Sequence, residues 1–156
     1  MTRTVLLTLG RLPKGLDIAR ALAMQGWRVI VAEPQSWHLS RVSRAVRRSV
    51  RITSPRVDPE RYLDELLAVV EREQVSLVVP VSEETLHVSA LKQRLPAQVR
   101  LFCDAQARLM PLHDKLAFIR QARALDLPVP DSYPADSARA RVLALQADTV
   151  YKPRFG

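Results

Sequence analysis

Val75-Ser-Leu-Val-Val-Pro-Val81 is a nearly continuous apolar run, and it constrains the fold more than any other stretch. A strand that is apolar on both faces has to be covered on both, which is the pattern of a central strand in a parallel sheet. The same punctuation recurs on either side of it. Thr4–Leu9 is an apolar run that ends at Gly10. Gly15 then opens a helix from about Leu16 to Gln25, with Ile18, Ala19, Leu22 and Ala23 on one face, and Gly26 stops it before the strand Trp27–Ala32. Strand, short turn, helix, glycine and strand make a βαβ unit with a right-handed crossover. Val50–Ile52 reads as a third strand. Asp58 caps a helix that Pro59 begins, and Tyr62, Leu63, Leu66, Leu67 and Val70 form its buried stripe. Ser82-Glu83-Glu84 opens a further helix to about Leu95, and Val99–Cys103 is the fifth strand. This alternation predicts a doubly wound, Rossmann-like α/β domain over residues 1–104: a mostly parallel five-stranded sheet with helices on both faces.

A second unit, 105–156, is expected after a boundary near Asp104–Pro111. Leu112 to Pro130 reads as one helix. Asp114 caps it, Leu116, Ile119 and Ala122 form its stripe with Phe118 and Leu125 beside them, and Pro128 and Pro130 end it. Asp136–Gln146 is a last short helix, and Thr149–Pro153 is a short strand that carries Lys152.

Composition narrows the function classes. A hydrophobic fraction of 47% with 26% charged residues is that of a soluble globular chain. The single cysteine, Cys103, excludes an internal disulfide and suits a reducing compartment. Val5–Leu9 is too short for a signal-peptide core, and no apolar run approaches the ~20 residues of a membrane span. A cytoplasmic protein without a membrane partner is expected. The net charge is +8. Most of it is arginine, since the lysines are only Lys14, Lys92, Lys115 and Lys152. Arg41, Arg44, Arg47, Arg48, Arg51 and Arg56 cluster with no acid among them, and Val42, Ala45 and Val46 recur between them at helical spacing. Such a cluster is either a solvated helix face or a surface for nucleic acid. Stacking aromatics are not interleaved with it, so no specific nucleic-acid binding is expected.

Candidate binding residues gather where strands end. The turn Gly10-Arg-Leu-Pro-Lys-Gly15 has half the spacing of a phosphate loop, but Leu16 and Asp17 stand where that motif needs Lys and Ser or Thr. It also lacks the Gly-x-Gly-x-x-Gly of dinucleotide folds, although Glu33 ends the second strand where a ribose acceptor would sit. The glycines either make a tight turn or let the helix amino end, with Arg11 and Lys14, hold a substrate anion. Ser82, Glu83 and Glu84 lie at a strand's carboxyl end, where open α/β sheets place ligands. The two glutamates equally suit a helix dipole. A substrate site lined by Gly10, Arg11, Lys14, Glu33, Ser82 and Glu83 is therefore expected. Cys103 closes an apolar strand with no base near it in sequence, and His38, His87 and His113 lack metal-ligand spacing; none of these is taken as catalytic or metal-binding.

His113-Asp114-Lys115, the Leu127-Pro-Val-Pro130 exit and the later Lys152-Pro153 together resemble the entrance to an ATP-grasp fold. Trp37-His38, Ser54-Pro55-Arg56 and Val79-Pro80-Val81-Ser82-Glu83-Glu84 extend the resemblance to ATP-grasp carboxylate–amine ligases along essentially the whole chain. The resemblance implies that residues 1–104 are the preceding Rossmann-like domain and 105–156 the start of the ATP-grasp domain. It implies ATP and Mg2+ as cofactors and a small-molecule carboxylate and amine as substrates. Lys115 and Lys152 are the implied ATP contacts. In that family a glycine-rich loop, the adenine-contacting hinge and the magnesium ligands come after the Lys-Pro strand. The chain is accordingly expected to be the amino-terminal, truncated part of a ligase, inactive alone. Two other classes stay open: a non-catalytic Rossmann-like module that binds a nucleotide, a partner or a second protomer as a homodimer, and a nicotinamide-cofactor domain.

Overall fold

A computed structural model describes residues 3–145 and 149–155 of the chain. The chain divides into two compact units, Met1–Ala105 and Gln106–Gly156.

The first unit is a five-stranded parallel sheet. Its strands are β1 (Thr4–Thr8), β2 (Arg28–Glu33), β3 (Arg48–Arg51), β4 (Leu77–Val79) and β5 (Arg100–Leu101), in the order β3-β2-β1-β4-β5. The register pairs Leu6 with Ile30 on one side and with Val78 on the other. Helix α1 (Pro13–Met24) covers one face. Val5, Leu7, Val29 and Val31 pack there against Ala19, with Ile18 and Leu22 beside them. Helices α2 (Pro59–Arg72) and α3 (Glu84–Val88) cover the other face, and α3 runs on into a 3₁₀ turn, Ser89–Gln93. Leu6, Ile30 and Ala32 meet Tyr62, Leu66, Val88 and Leu91 in that layer. Successive residues of β1 thus enter opposite cores, because side chains alternate along a strand. Each fully buried Val or Leu contributes about 1.5–3 kcal/mol, so neither layer can be removed without losing the sheet. The doubly wound fold read from the sequence is the one observed.

Local differences have local causes. Helix α1 starts at Pro13, in the first helical turn, where the missing proline amide costs nothing. Gly15 lies inside it and not before it, at a position where a Cβ would stand 2.7 Å from the Leu9 carbonyl oxygen. The expected helix through the arginine cluster is replaced by a 3₁₀ turn, Leu39–Val42. The Ser40 amide and hydroxyl both donate to the Gly10 carbonyl, at 3.1 and 2.7 Å, and pull the chain out of a helical path. β3 begins two residues earlier than expected, because the β2 ladder and not apolarity sets its span. Its arginines are exposed on a sheet edge, a placement that blocks further strand addition. Pro80 cannot donate to the ladder, and β4 ends at Val79 although Val81 is buried. The edge strand β5 is the two-residue core of the expected Val99–Cys103.

The second unit is helical among the described residues. α4 (Gln106–His113) precedes α5 (Lys115–Ala124), and α6 (Ala138–Leu143) follows. The long helix expected over Leu112–Pro130 is thus α5 alone, with α4 unforeseen because Pro111 lies inside it and proline argues against a helix interior. Ser137 caps α6 by accepting from the Ala140 amide at 3.2 Å. Gln146, the expected end of that helix, lies outside the described residues. Thr149–Pro153 forms no strand. A strand's amides and carbonyls need a neighbouring strand, and no strand in this unit pairs with the segment among the described residues.

Candidate functional site

The strand order reverses direction between β1 and β4. The chain leaves β1 towards α1 on one face and leaves β4 towards α3 on the other, and ligands in open α/β sheets bind at such a point. Both exits pass through residues with left-handed backbone, Leu9 at φ 61° and Ser82 at φ 60°. Neither is glycine, and such conformations persist only where the surroundings enforce them. Leu9 is held by burial. Ser82 accepts the Thr85 amide on its carbonyl at 3.1 Å.

A buried polar cluster fills the space below these exits. Glu33, at the end of β2, is wholly buried. It accepts from the Arg11 amide at 3.1 Å, the Arg11 guanidinium at 2.6 Å and the Gln35 amide at 3.1 Å. The same guanidinium lies 3.9 Å from Glu84 Oε1. Glu84 accepts from the Tyr62 hydroxyl at 2.7 Å. Thr8, also wholly buried, accepts from the Val81 amide at 3.2 Å. One partly exposed cation thus faces two buried carboxylates. Burial pushes the Glu84 carboxyl above the usual range, against the opposing pull of the Tyr62 hydrogen bond. Burial, and then the charge of Glu84, pushes the Tyr62 hydroxyl up as well.

Gly10 sits against this cluster with no room for a side chain. A Cβ would lie 2.5 Å from Val31 Cγ1 and 2.7 Å from His38 Nδ1. His38 is buried and shares a 2.7 Å hydrogen bond through Nε2 with the Ser49 hydroxyl, while its Nδ1 has no hydrogen-bond partner.

Of the residues expected to line a substrate site, the structure brings Gly10, Arg11 and Glu33 together. Lys14 and Glu83 are exposed and Ser82 is half-buried. Thr8, His38, Ser40 and Tyr62 complete the cluster and were not among the candidates, and Glu84, noted at the strand's carboxyl end but left out of the expected lining, belongs to it. Glu84 had a signal: it shares the four-then-three spacing of Val88 and Leu91, and all of them are buried. An open groove of about 400 Å³ lies apart from this cluster, lined by Arg51, Thr53, Ser54, Val57 and Arg61 among others.

In the second unit, Asp114 caps α5 by accepting from the Leu116 and Ala117 amides at 3.0 and 3.2 Å. Its other oxygen accepts from the Arg154 guanidinium. That hydrogen bond, outweighing partial desolvation, pulls the Asp114 carboxyl down to about 2. The Lys115 ammonium donates to the Pro153 carbonyl at 2.8 Å, and its amide donates to the Arg154 carbonyl at 3.2 Å. The His113 and Phe155 rings are 6.2 Å apart. The segment 152–155 therefore lies along the amino end of α5, with Lys115 bonded to the residue next to the exposed Lys152.

Burial raises the Cys103 thiol pKa, the opposite of what an activated nucleophile needs. Among the described residues no three His, Cys, Asp or Glu side chains are grouped to hold a metal ion, and no helix is long and apolar enough to cross a membrane.

No family model and no curated protein matches the sequence. The fold has solved counterparts. The biotin carboxylase domain of a single-chain bacterial carboxylase is 23% identical with a TM-score of 0.66, over 94% of this chain and 34% of that one. The L-amino acid ligase of Bacillus licheniformis is 15% identical with a TM-score of 0.70, over 99% of this chain and 38% of that one. The N5-carboxyaminoimidazole synthetase of Staphylococcus aureus is 15% identical with a TM-score of 0.65, over 100% of this chain and 40% of that one. The chain thus spans about a third to two-fifths of the structures that it matches. They are ATP-grasp ligases, matched in their amino-terminal region, and this is the group that the sequence resembles.

Proposed function

We propose that this chain forms the amino-terminal portion of an ATP-dependent carboxylate–amine ligase, with Lys115 and Lys152 holding the nucleotide's phosphates. The observation that carries the proposal is the hydrogen bond from the Lys115 ammonium to the Pro153 carbonyl. It brings the Lys115 ammonium to the residue that follows Lys152, 37 residues on in sequence from Lys115, and the resemblance assigns both lysines to a nucleotide. The shared fold supports it.

In the reaction proposed, a carboxylate oxygen attacks the γ-phosphorus of ATP, ADP leaves, and an acyl phosphate forms. An amine then attacks the acyl carbon, phosphate departs and a C–N bond remains. Cations beside the phosphates lower the barrier by matching the charge on the transferring group. An ammonium about 4 Å from a phosphate oxygen has a gross attraction of about 4 kcal/mol at an effective dielectric near 20. Desolvation and the existing bond to Pro153 reduce the net value for Lys115.

Mg2+ does not fit the described residues. Asp114 is the carboxylate beside the two lysines' segment, and its oxygens are already taken by Arg154 and two backbone amides. The chain's own turnover of ATP is expected to be negligible. The substrates proposed are a small-molecule carboxylate and an amine, and the lone cysteine suits a cytoplasmic setting.

A non-catalytic Rossmann-like module is the second reading, and the polar cluster at the β1/β4 exits favours it, because the charge of Arg11 is already matched by Glu33. A nicotinamide role for Glu33 is disfavoured by the same bonds, which occupy both of its oxygens.

Titration of the chain with ATP, followed by amide chemical shifts, tests the proposal. Shifts at residues 115, 151, 152 and 154 are expected. Lys115→Ala and Lys152→Ala should each weaken binding about tenfold, equivalent to about 1.4 kcal/mol, and Lys92→Ala should not. Saturable ATP binding that ignores both lysines would overturn it and favour the module.

A further inference from the structure

The amino-terminal edge of the sheet lies opposite the strand exits, and it collects arginines. Because every strand is parallel, every strand start falls on that edge. Arg28 opens β2, Arg48 opens β3 and Arg100 opens β5. Arg3 precedes β1, and its guanidinium stands 4.6 Å from the Trp27 ring centroid.

Glu73, at the end of α2, is buried beneath two of these cations, Arg28 and Arg48, and beside Arg72 of its own helix. Its Oε2 accepts from Arg28 at 2.6 Å, and its Oε1 accepts from Arg48 at 2.8 Å and from Arg72 at 3.4 Å. Arg28 also donates to the Glu73 backbone carbonyl at 3.3 Å. Burial alone would raise the Glu73 carboxyl, but the Arg28 bond and the Arg48 charge outweigh it and hold it below the usual range. Glu73 is therefore ionised at neutral pH, and the four groups together carry a net charge of +2, from three cations and one anion.

One arginine would neutralise one carboxylate. Three arginines sharing it leave a surplus held in a fixed arrangement. Arg48 and Arg72 each give a single nitrogen to the same oxygen, so their guanidinium groups are neighbours. Their side chains are 54% and 50% exposed, and their remaining N–H groups reach solvent. Guanidinium forks bind phosphate oxygens in bidentate fashion, and Glu73 has already reduced the freedom they would otherwise lose on binding.

We propose that Arg28, Arg48 and Arg72, held by Glu73, form a binding site for a small anion that carries two linked phosphate groups. The neighbouring, half-exposed guanidinium groups of Arg48 and Arg72 can each take one of two linked phosphates, and a charge of −2 or more offsets the surplus. The site stands on the opposite edge of the sheet from the β1/β4 exits, lies within the first unit, and does not depend on the ligase reading.

Inorganic pyrophosphate is the probe, titrated into the full chain and followed by amide shifts of residues 47–49 and 72–75. These positions separate the site from any binding at Lys115 and Lys152. Saturable shifts are expected there. The double variant Arg48→Gln/Arg72→Gln should weaken them at least tenfold, whereas Arg20→Gln, on the exposed face of α1, should leave them within twofold. Glu73→Gln separates a fixed site from diffuse attraction. It adds net positive charge, so diffuse attraction would tighten binding, whereas loss of the fixed arrangement should weaken it. Tighter binding in Glu73→Gln, equal losses in the Arg48/Arg72 and Arg20 variants, or no saturable shifts at 47–49 and 72–75 would overturn the proposal. If Glu73→Gln fails to fold, the arginine comparison decides alone.

Discussion

The Tyr62 hydroxyl donates a 2.7 Å hydrogen bond to Glu84 Oε2, joining α2 to α3 beneath the exits of β1 and β4. Tyr62 is wholly buried and Glu84 nearly so. Removing the hydroxyl leaves a buried carboxylate with one donor fewer. Tyr62→Phe is therefore expected to cost about 1.5–3 kcal/mol in urea unfolding, the range for a hydrogen bond to a charged group. A cost below about 0.5 kcal/mol would mean that the bond is replaced by solvent.

Glu84 also sets a pH dependence. Its folded-state pKa is raised by burial. A raised carboxyl contributes stability that is fully present below its unfolded value, about 4.3, and is lost as pH rises through the folded value. Glu84→Gln cannot titrate and keeps an acceptor for Tyr62. Its stability relative to the wild type should rise from pH 4 to pH 8. A difference that stays flat across that window would show that Arg11 compensates the charge fully.

Gly10 is expected to tolerate no side chain. Gly10→Ala would drive a Cβ into Val31 and His38, and overpacking of this kind costs about 1–3 kcal/mol. The combination with His38→Ala should cost less than the sum of the two single changes, because one wall has been removed. Additive losses in denaturant unfolding would place the strain elsewhere.

Asp114 ties the 152–155 segment to α5 through Arg154, and its carboxyl is pulled down to about 2. A lowered carboxyl gives stability that is present above its unfolded value, near 3.9, and lost as pH falls through the folded value. Amide signals of residues 115–117 and 154–155 should hold their positions down to about pH 4 and move together between about pH 4 and 2. Asp114→Asn should abolish that common transition. If the wild-type signals of the two stretches titrate separately, the contact does not hold the segment.

The sheet was legible because apolar runs and their stops carry it. Thr4–Leu9 with Gly10, and Gly26 before Trp27, mark strand and helix ends through backbone rules that need no tertiary knowledge. Asp58 and Asp114 were legible as caps for the same reason, and each accepts from the helix turn that follows it. The polar cluster was less so. Glu83 and Glu84 are adjacent and chemically alike, yet Glu83 is exposed and Glu84 is 5% exposed. Only the turn of α3 over Tyr62 separates them. The placement of Ser40 against Gly10 was hidden too, because the bond spans thirty residues and overrides the helical spacing of Val42, Ala45 and Val46. Pro111 misled in the other direction, since it lies inside α4.

The ligase reading rests on two lysines, and the chain contains only four: Lys14, Lys92, Lys115 and Lys152. An ATP analogue with an acyl group on its terminal phosphate transfers that group to a lysine amine lying beside the phosphates. The amide bond forms, ATP leaves, and mass spectrometry of the digested chain reads the position. Labelling of Lys115 and Lys152 that excess ATP suppresses, with none on Lys14 or Lys92, is the expected result. ATP-suppressible labelling of Lys14 or Lys92 with neither Lys115 nor Lys152 modified would contradict the account.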